Sequence, residues 1–99
     1  MIVFWTNEAI DDLENIFYYY LIEASRETAY RIVTEIMLSA DRLQAYPESG
    51  QREELLLGRK QKYRYIVTGN YKLIYWVDER INIASVFDCR QNPVKMDLI

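Results

Sequence analysis

Between Ser25 and Pro47 the apolar residues fall at Ala29, Ile32, Val33, Ile36, Ala40 and Leu43. Steps of three and four place all six on one side of an α-helix, whereas a strand would scatter them over both faces. Ser25 is a natural N-cap, and Tyr46-Pro47 followed by Ser49-Gly50 ends the helix. The preceding stretch repeats the pattern at Ala9, Leu13, Ile16 and Tyr20, with Ile10 and Phe17 beside them. Thr6 or Asn7 caps it, Glu8, Asp11 and Asp12 suit its positive end, and it runs to about Ile22 or Glu23. So short a connection predicts an antiparallel helix hairpin. Such a hairpin needs a sheet against which to bury its stripes.

The rest of the chain supplies that sheet. Period two replaces period three to four, with strands expected at Tyr63–Val67, Tyr71–Val77 and Ile81–Phe87. Thr68-Gly69-Asn70 and Asp78-Glu79-Arg80 are the turns between them. Tyr71, Leu73 and Tyr75 share one face, and Lys72, Ile74 and Trp76 the other. On the next strand Ile81, Ile83 and Ser85 oppose Asn82, Ala84 and Val86. The opening MIVFW does not alternate, which predicts a strand buried on both faces in the middle of the sheet. Leu55–Leu57 reads as an irregular edge segment, and the MDLI tail as an element that docks. The predicted fold is α+β over residues 1–99 as one domain: an N-terminal strand, an antiparallel helix hairpin, then a three-stranded antiparallel meander.

Charge is divided along this order. Residues 1–58 hold four arginines against eleven acids, a net of −7, while residues 59–99 hold eight Lys or Arg against four acids, a net of +4. RKQKYR at 59–64 is the densest basic run. Histidine is absent and Cys89 is the only cysteine, which excludes Ser-His-Asp and Cys-His catalysis, paired Cys/His metal spacing and a disulfide framework. Gly50, Gly58 and Gly69 do not form a phosphate-gripping loop. Asp11, Asp12 and Glu14 read as a solvated helix face, so neither a metal nor a cofactor is expected. No stretch resembles a membrane span or a signal peptide, and a cytoplasmic location is expected.

The chemistry left is cationic. Arg59, Lys60, Lys62 and Arg64 precede or open the meander, Lys72 lies in its second strand, and Arg90 follows its third. Arginine forks bind phosphate bidentately and stabilise charge growing on a phosphoryl oxygen. Tyr63, Tyr65 and Tyr71 are candidates for stacking a base, or for sheet packing. Arg64 and Arg90 meet only if Arg64 reaches along the sheet and the chain turns back after Phe87. The blander alternative gives Arg64 a surface ion pair and lets Arg90 tie down the tail through Asp88.

Taken together, Trp5 to Ala9 with Asp12, Leu13 and Ile16, then Leu43, Tyr46-Pro47 and Gly50, then Tyr63-Arg64, Tyr71-Lys72 and Tyr75, and finally the run from Val86 to Pro93, resemble toxins of the RelE/ParE type from bacterial type II toxin–antitoxin systems. The resemblance covers nearly the whole chain. It implies a cognate antitoxin partner and one of two targets: messenger RNA cut on the ribosome, or DNA gyrase. In the ribonuclease branch the implied site is basic, metal-free and on the concave side of the sheet. Arg64 and Arg90 would then be catalytic, clamping the scissile phosphate as the 2′-hydroxyl attacks, with Arg59, Lys60, Lys62 and Lys72 holding the RNA backbone. That branch often has a tyrosine or histidine near its C-terminus, and the segment after Arg90 has neither. The readings are therefore a ribosome-dependent endoribonuclease, a gyrase inhibitor, and a non-catalytic protein-binding module.

Overall fold

The computed structural model describes residues 1–91 and 96. Strand β1 (Val3–Trp5) leads into α1 (Asn7–Glu23) and α2 (Arg26–Arg42). Strand β2 (Gln51–Arg52) and a single 3₁₀ turn (Glu54–Leu56) follow, and β3 (Arg64–Thr68), β4 (Tyr71–Val77) and β5 (Ile81–Asp88) complete the fold. Thr6 is the cap of α1, its hydroxyl oxygen accepting the Ala9 amide at 3.2 Å. Ser25 does the same for α2 through Thr28 at 3.1 Å. These short polar side chains satisfy amides that the first helical turn leaves unpaired.

The five strands lie in the order β1-β5-β4-β3-β2. β1 runs parallel to β5, and every other pair is antiparallel. This is the expected N-terminal strand, helix hairpin and meander, with one added strand, the two-residue β2. One expectation is corrected. β1 stands at the edge of the sheet, and Phe4 is exposed. Its unbroken hydrophobicity comes from being so short: Val3 and Trp5 pack on the core while Phe4, on the other face, lies under the Arg80 guanidinium at 3.7 Å.

The hairpin covers one face. Ile16, Ile36, Ala40 and Leu43 meet Tyr71, Leu73 and Tyr75 of β4 and Ile81, Ile83 and Val86 of β5. The presence of Val86 among them is the second correction. A register shift beside Ile74/Tyr75 leaves Ala84 as an extra residue on β5, because Tyr75 pairs with Ile83 while Ile74 pairs with Ser85. The bulge reverses the alternation downstream and puts Val86 on the same side as Ile81 and Ile83. On the opposite face Leu56, Ile74, Ala84, Phe87 and Met96 pack together under Tyr63, Tyr65 and Trp76. Of the MDLI tail, Met96 docks in this second cluster, and the remaining residues lie outside the described ones.

Candidate functional site

Arg64 opens β3 opposite Tyr75, so its side chain rises on the helix-covered face. There Nη1 donates to the Gly50 carbonyl at 2.9 Å and to the Glu48 carbonyl at 3.3 Å. The same loop is held from below by Tyr75, whose hydroxyl oxygen accepts the Gly50 amide at 2.9 Å. Position 50 must be glycine, because a Cβ there would stand 2.5 Å from that hydroxyl and 2.8 Å from the Tyr65 carbonyl. Arg64 thus braces the loop between α2 and β2 through Nη1.

Arg90 sits beyond the far end of β5. Its Nε and Nη2 donate to the two oxygens of Asp88 at 2.9 and 2.8 Å, a bidentate fork. That fork holds the Asp88 carboxyl below the usual carboxylate range, and Asp88 in turn raises the guanidinium. Asp88 pairs with Tyr71, whereas Arg64 pairs with Tyr75. Four residues along the strand are about 13 Å, and the arginines also lie two strands apart, about 10 Å. The two arginines are not brought together.

Tyr71 is buried on the helix side, with its hydroxyl 3.4 Å from that of Tyr20. Burial pushes its phenol up, and its ring is core rather than a platform for a base. Tyr63, Tyr65 and Lys72 do share a face, the one opposite the helices. Tyr63 meets Trp76 edge-on at 5.8 Å, and Tyr65 donates to Gln51 Oε1 at 3.1 Å. Lys72 Nζ lies 4.3 Å from the centre of the Tyr65 ring and 3.0 Å from Glu53 Oε2. Arg59, Lys60 and Lys62 are exposed on the segment that this pair anchors.

Two acids are buried where spacing alone did not place them. Glu53 is only 3% exposed, sealed under Lys72. Asp12, expected on a solvated helix face, points inward. Its Oδ2 accepts from Ser85 Oγ and from the Val86 amide, both at 2.9 Å, and burial pushes its carboxyl up against the opposing effect of those hydrogen bonds. Asp12 forms one wall of a groove of about 740 Å³ between α1 and β5. Among the described residues no cluster of three His, Cys, Asp or Glu is placed to hold a metal. No described helix is long and apolar enough to cross a membrane.

Comparison with known proteins decides the lineage. Residues 3–93 match the family described as ParE toxin of type II toxin-antitoxin system, parDE. The chain belongs to the ParE toxin family. A solved structure described as the chromosomal ParDE TA system from P. aeruginosa superposes with a TM-score of 0.74 at 21% identity, covering 89% of this chain and 95% of that one. No curated protein matches the sequence. Membership makes this ParE chain the toxin of a type II pair, whose partner is a cognate antitoxin.

Proposed function

We propose that this ParE toxin acts without catalysis, by binding DNA gyrase in the cytoplasm. The observation that carries the reading is the placement of the two arginines. A phosphoryl-transfer site needs its donors converging on one oxygen within hydrogen-bond reach. Here Arg64 holds the carbonyls of Glu48 and Gly50, Arg90 holds Asp88, and the strands keep them apart. No histidine offers a base, and of the candidate tyrosines Tyr71 is in the core, Tyr65 is tied to Gln51 and Tyr63 packs edge-on against Trp76. Gyrase is the family target that requires binding alone. The exposed Lys60 and Lys62, on a segment fixed by the Lys72–Glu53 pair, give the toxin a basic edge toward a DNA-engaged enzyme.

The test is a paired readout with the purified toxin. Gyrase supercoiling should stop at stoichiometric toxin, and induction in cells should produce double-strand breaks with intact messages. Messenger RNA cut on translating ribosomes, with gyrase unaffected, would overturn the reading and return Arg64 and Arg90 to the chemistry of RNA cleavage.

A further inference from the structure

Surface loops are usually the least restrained part of a small domain. The loop from Tyr46 to Gly50 is held unusually firmly. The chain leaves α2 in tight turns, with the Leu43, Gln44 and Ala45 amides donating to carbonyls three residues back. The Ser49 amide then closes on the Tyr46 carbonyl at 3.1 Å. The sheet grips the far end of the loop. The hydroxyl oxygen of the buried Tyr75 accepts the Gly50 amide, and Arg64 Nη1 donates to the Glu48 and Gly50 carbonyls.

What this bracing presents to solvent is Tyr46. Its ring is 74% exposed, although Leu43, three residues earlier, is buried in the core. Pro47 beside it fixes one backbone angle, and Met1, Ala45 and Val77 complete a shallow apolar notch bordered by Tyr46. Burial within the folded chain does not account for the placement of that ring. An exposed tyrosine on a rigid support is the kind of side chain that anchors a protein interface, because it brings a large contact area and loses little freedom on binding.

The notch adjoins the basic arm. Arg64, which braces the loop, follows Lys62 by two residues, and Val77 ends β4 at the same end of the sheet. From Leu55 to Val77 the chain carries five Lys or Arg and no acid. Lys72 is matched by Glu53, and Arg64 is engaged by the loop. Lys60 and Lys62 are exposed and meet no acid among the described residues. A protein surface complementary to this end of the toxin therefore offers an apolar side chain to the notch and carboxylates to the two lysines.

We infer that gyrase is held through the Tyr46 loop: an apolar gyrase side chain packs into the notch against the Tyr46 ring, and gyrase carboxylates face Lys60 and Lys62. The inference rests on the gyrase reading and assigns the contact surface within it. The lysines steer the encounter and the ring holds the complex.

The experiment measures Kd for purified gyrase with the parent toxin, Tyr46→Ala, Tyr46→Phe and Lys62→Gln. Tyr30→Ala serves as the reference, because that ring is similarly exposed but lies on the hairpin. Tyr46→Ala should weaken binding by at least about tenfold, while Tyr46→Phe stays within about threefold and Tyr30→Ala within about twofold. Lys62→Gln should cost about two- to threefold, mostly in association rate, and flatten the salt dependence. Nitration by tetranitromethane, mapped on toxin peptides, gives a second readout on the unaltered chain. Tyr46 should react in the free toxin and be protected by saturating gyrase. A folded Tyr46→Ala toxin that binds as tightly as its parent overturns the inference, and so does a Tyr46 that stays reactive in the saturated complex. If Tyr46→Ala does not fold, the protection result decides. A loss confined to Lys62→Gln would reduce the contact to charge alone, and a loss of antitoxin affinity with gyrase affinity unchanged would give the loop to the antitoxin; either overturns it. A parent toxin that does not bind gyrase removes the gyrase reading and this inference together, whereas equal binding by parent and Tyr46→Ala removes only the inference.

Discussion

The two faces of the sheet are closed by different means. On one, two capped helices lay a continuous apolar stripe over Tyr71, Leu73, Ile81 and Ile83. On the other, one 3₁₀ turn lays Leu56 on Ile74 and Phe87 with Met96 beside it, and the Lys72–Glu53 ion pair ties the start of that turn to β4. The first closure is distributed over many side chains whose burial is the main stabilising term. The second depends on a few contacts and carries the exposed lysines. A cooperative core on one side and an anchored arm on the other let the toxin present charge without placing that charge against its own helices.

The largest effect should come from the helix side. Ile36 is 1% exposed at the centre of the stripe. Ile36→Ala removes buried methylenes and leaves a cavity, so a loss of about 2–5 kcal/mol is expected. A chemical melt moving by much less would mean that the hairpin rides loosely on the sheet, and the contrast between the faces would fail.

That stripe was also the most legible part of the sequence, because its position depends only on local spacing. The helix caps at Thr6 and Ser25 and the span Tyr71–Val77 follow from the same local rules. What escaped depends on partners remote in sequence. The extra residue at Ala84 has no periodic signature, yet it decides which way Val86 points. Arg64 is basic and opens a strand in either reading. Only the pairing with Tyr75 turns it toward the Gly50 carbonyl, 14 positions earlier. Asp12 lies on the polar side of α1 by spacing, and it is the short β1 that leaves a bare amide at Val86 for it to satisfy. The family resemblance selected the right lineage, but it could not say whether two arginines shared by motif would meet in space.

A smaller effect is expected on the arm. Glu53→Gln leaves Lys72 without its carboxylate. The Lys72 side chain is 23% exposed and keeps some water, so the loss should be about 1–3 kcal/mol, below that of a fully buried charge. The loosening should be local: trypsin should cut sooner at Lys60 and Lys62 while the helix signal melts almost as before. Unchanged cutting together with a lower global melt would place the pair in the cooperative core and erase the difference between the faces.

The smallest effect concerns the seam where α1 meets the β5 edge, and it is read against pH. The folded-state pKa of Asp12 is raised, chiefly by burial, so between the ordinary carboxylate value and the raised one the folded chain binds a proton more tightly than the unfolded chain. Its contribution therefore opposes folding at neutral pH, and the opposition is relieved as pH falls through the raised value. Asp88 works the other way. Its folded pKa is lowered by the Arg90 hydrogen bond, and its stabilising contribution disappears as pH falls through that lower value. Asp12→Asn keeps a carbonyl oxygen able to accept from Ser85 and Val86, both of which use the same Asp12 oxygen, and it cannot ionise. The variant should melt at or slightly above its parent at neutral pH. The gap should close on acidification, while the Asp88 contribution cancels in the difference. A gap independent of pH would mean that ionisation of Asp12 plays no part. A variant less stable than its parent at neutral pH, with the deficit shrinking on acidification, would mean that the carboxylate charge itself holds α1 to the edge. The seam would then belong to the rigid helix side.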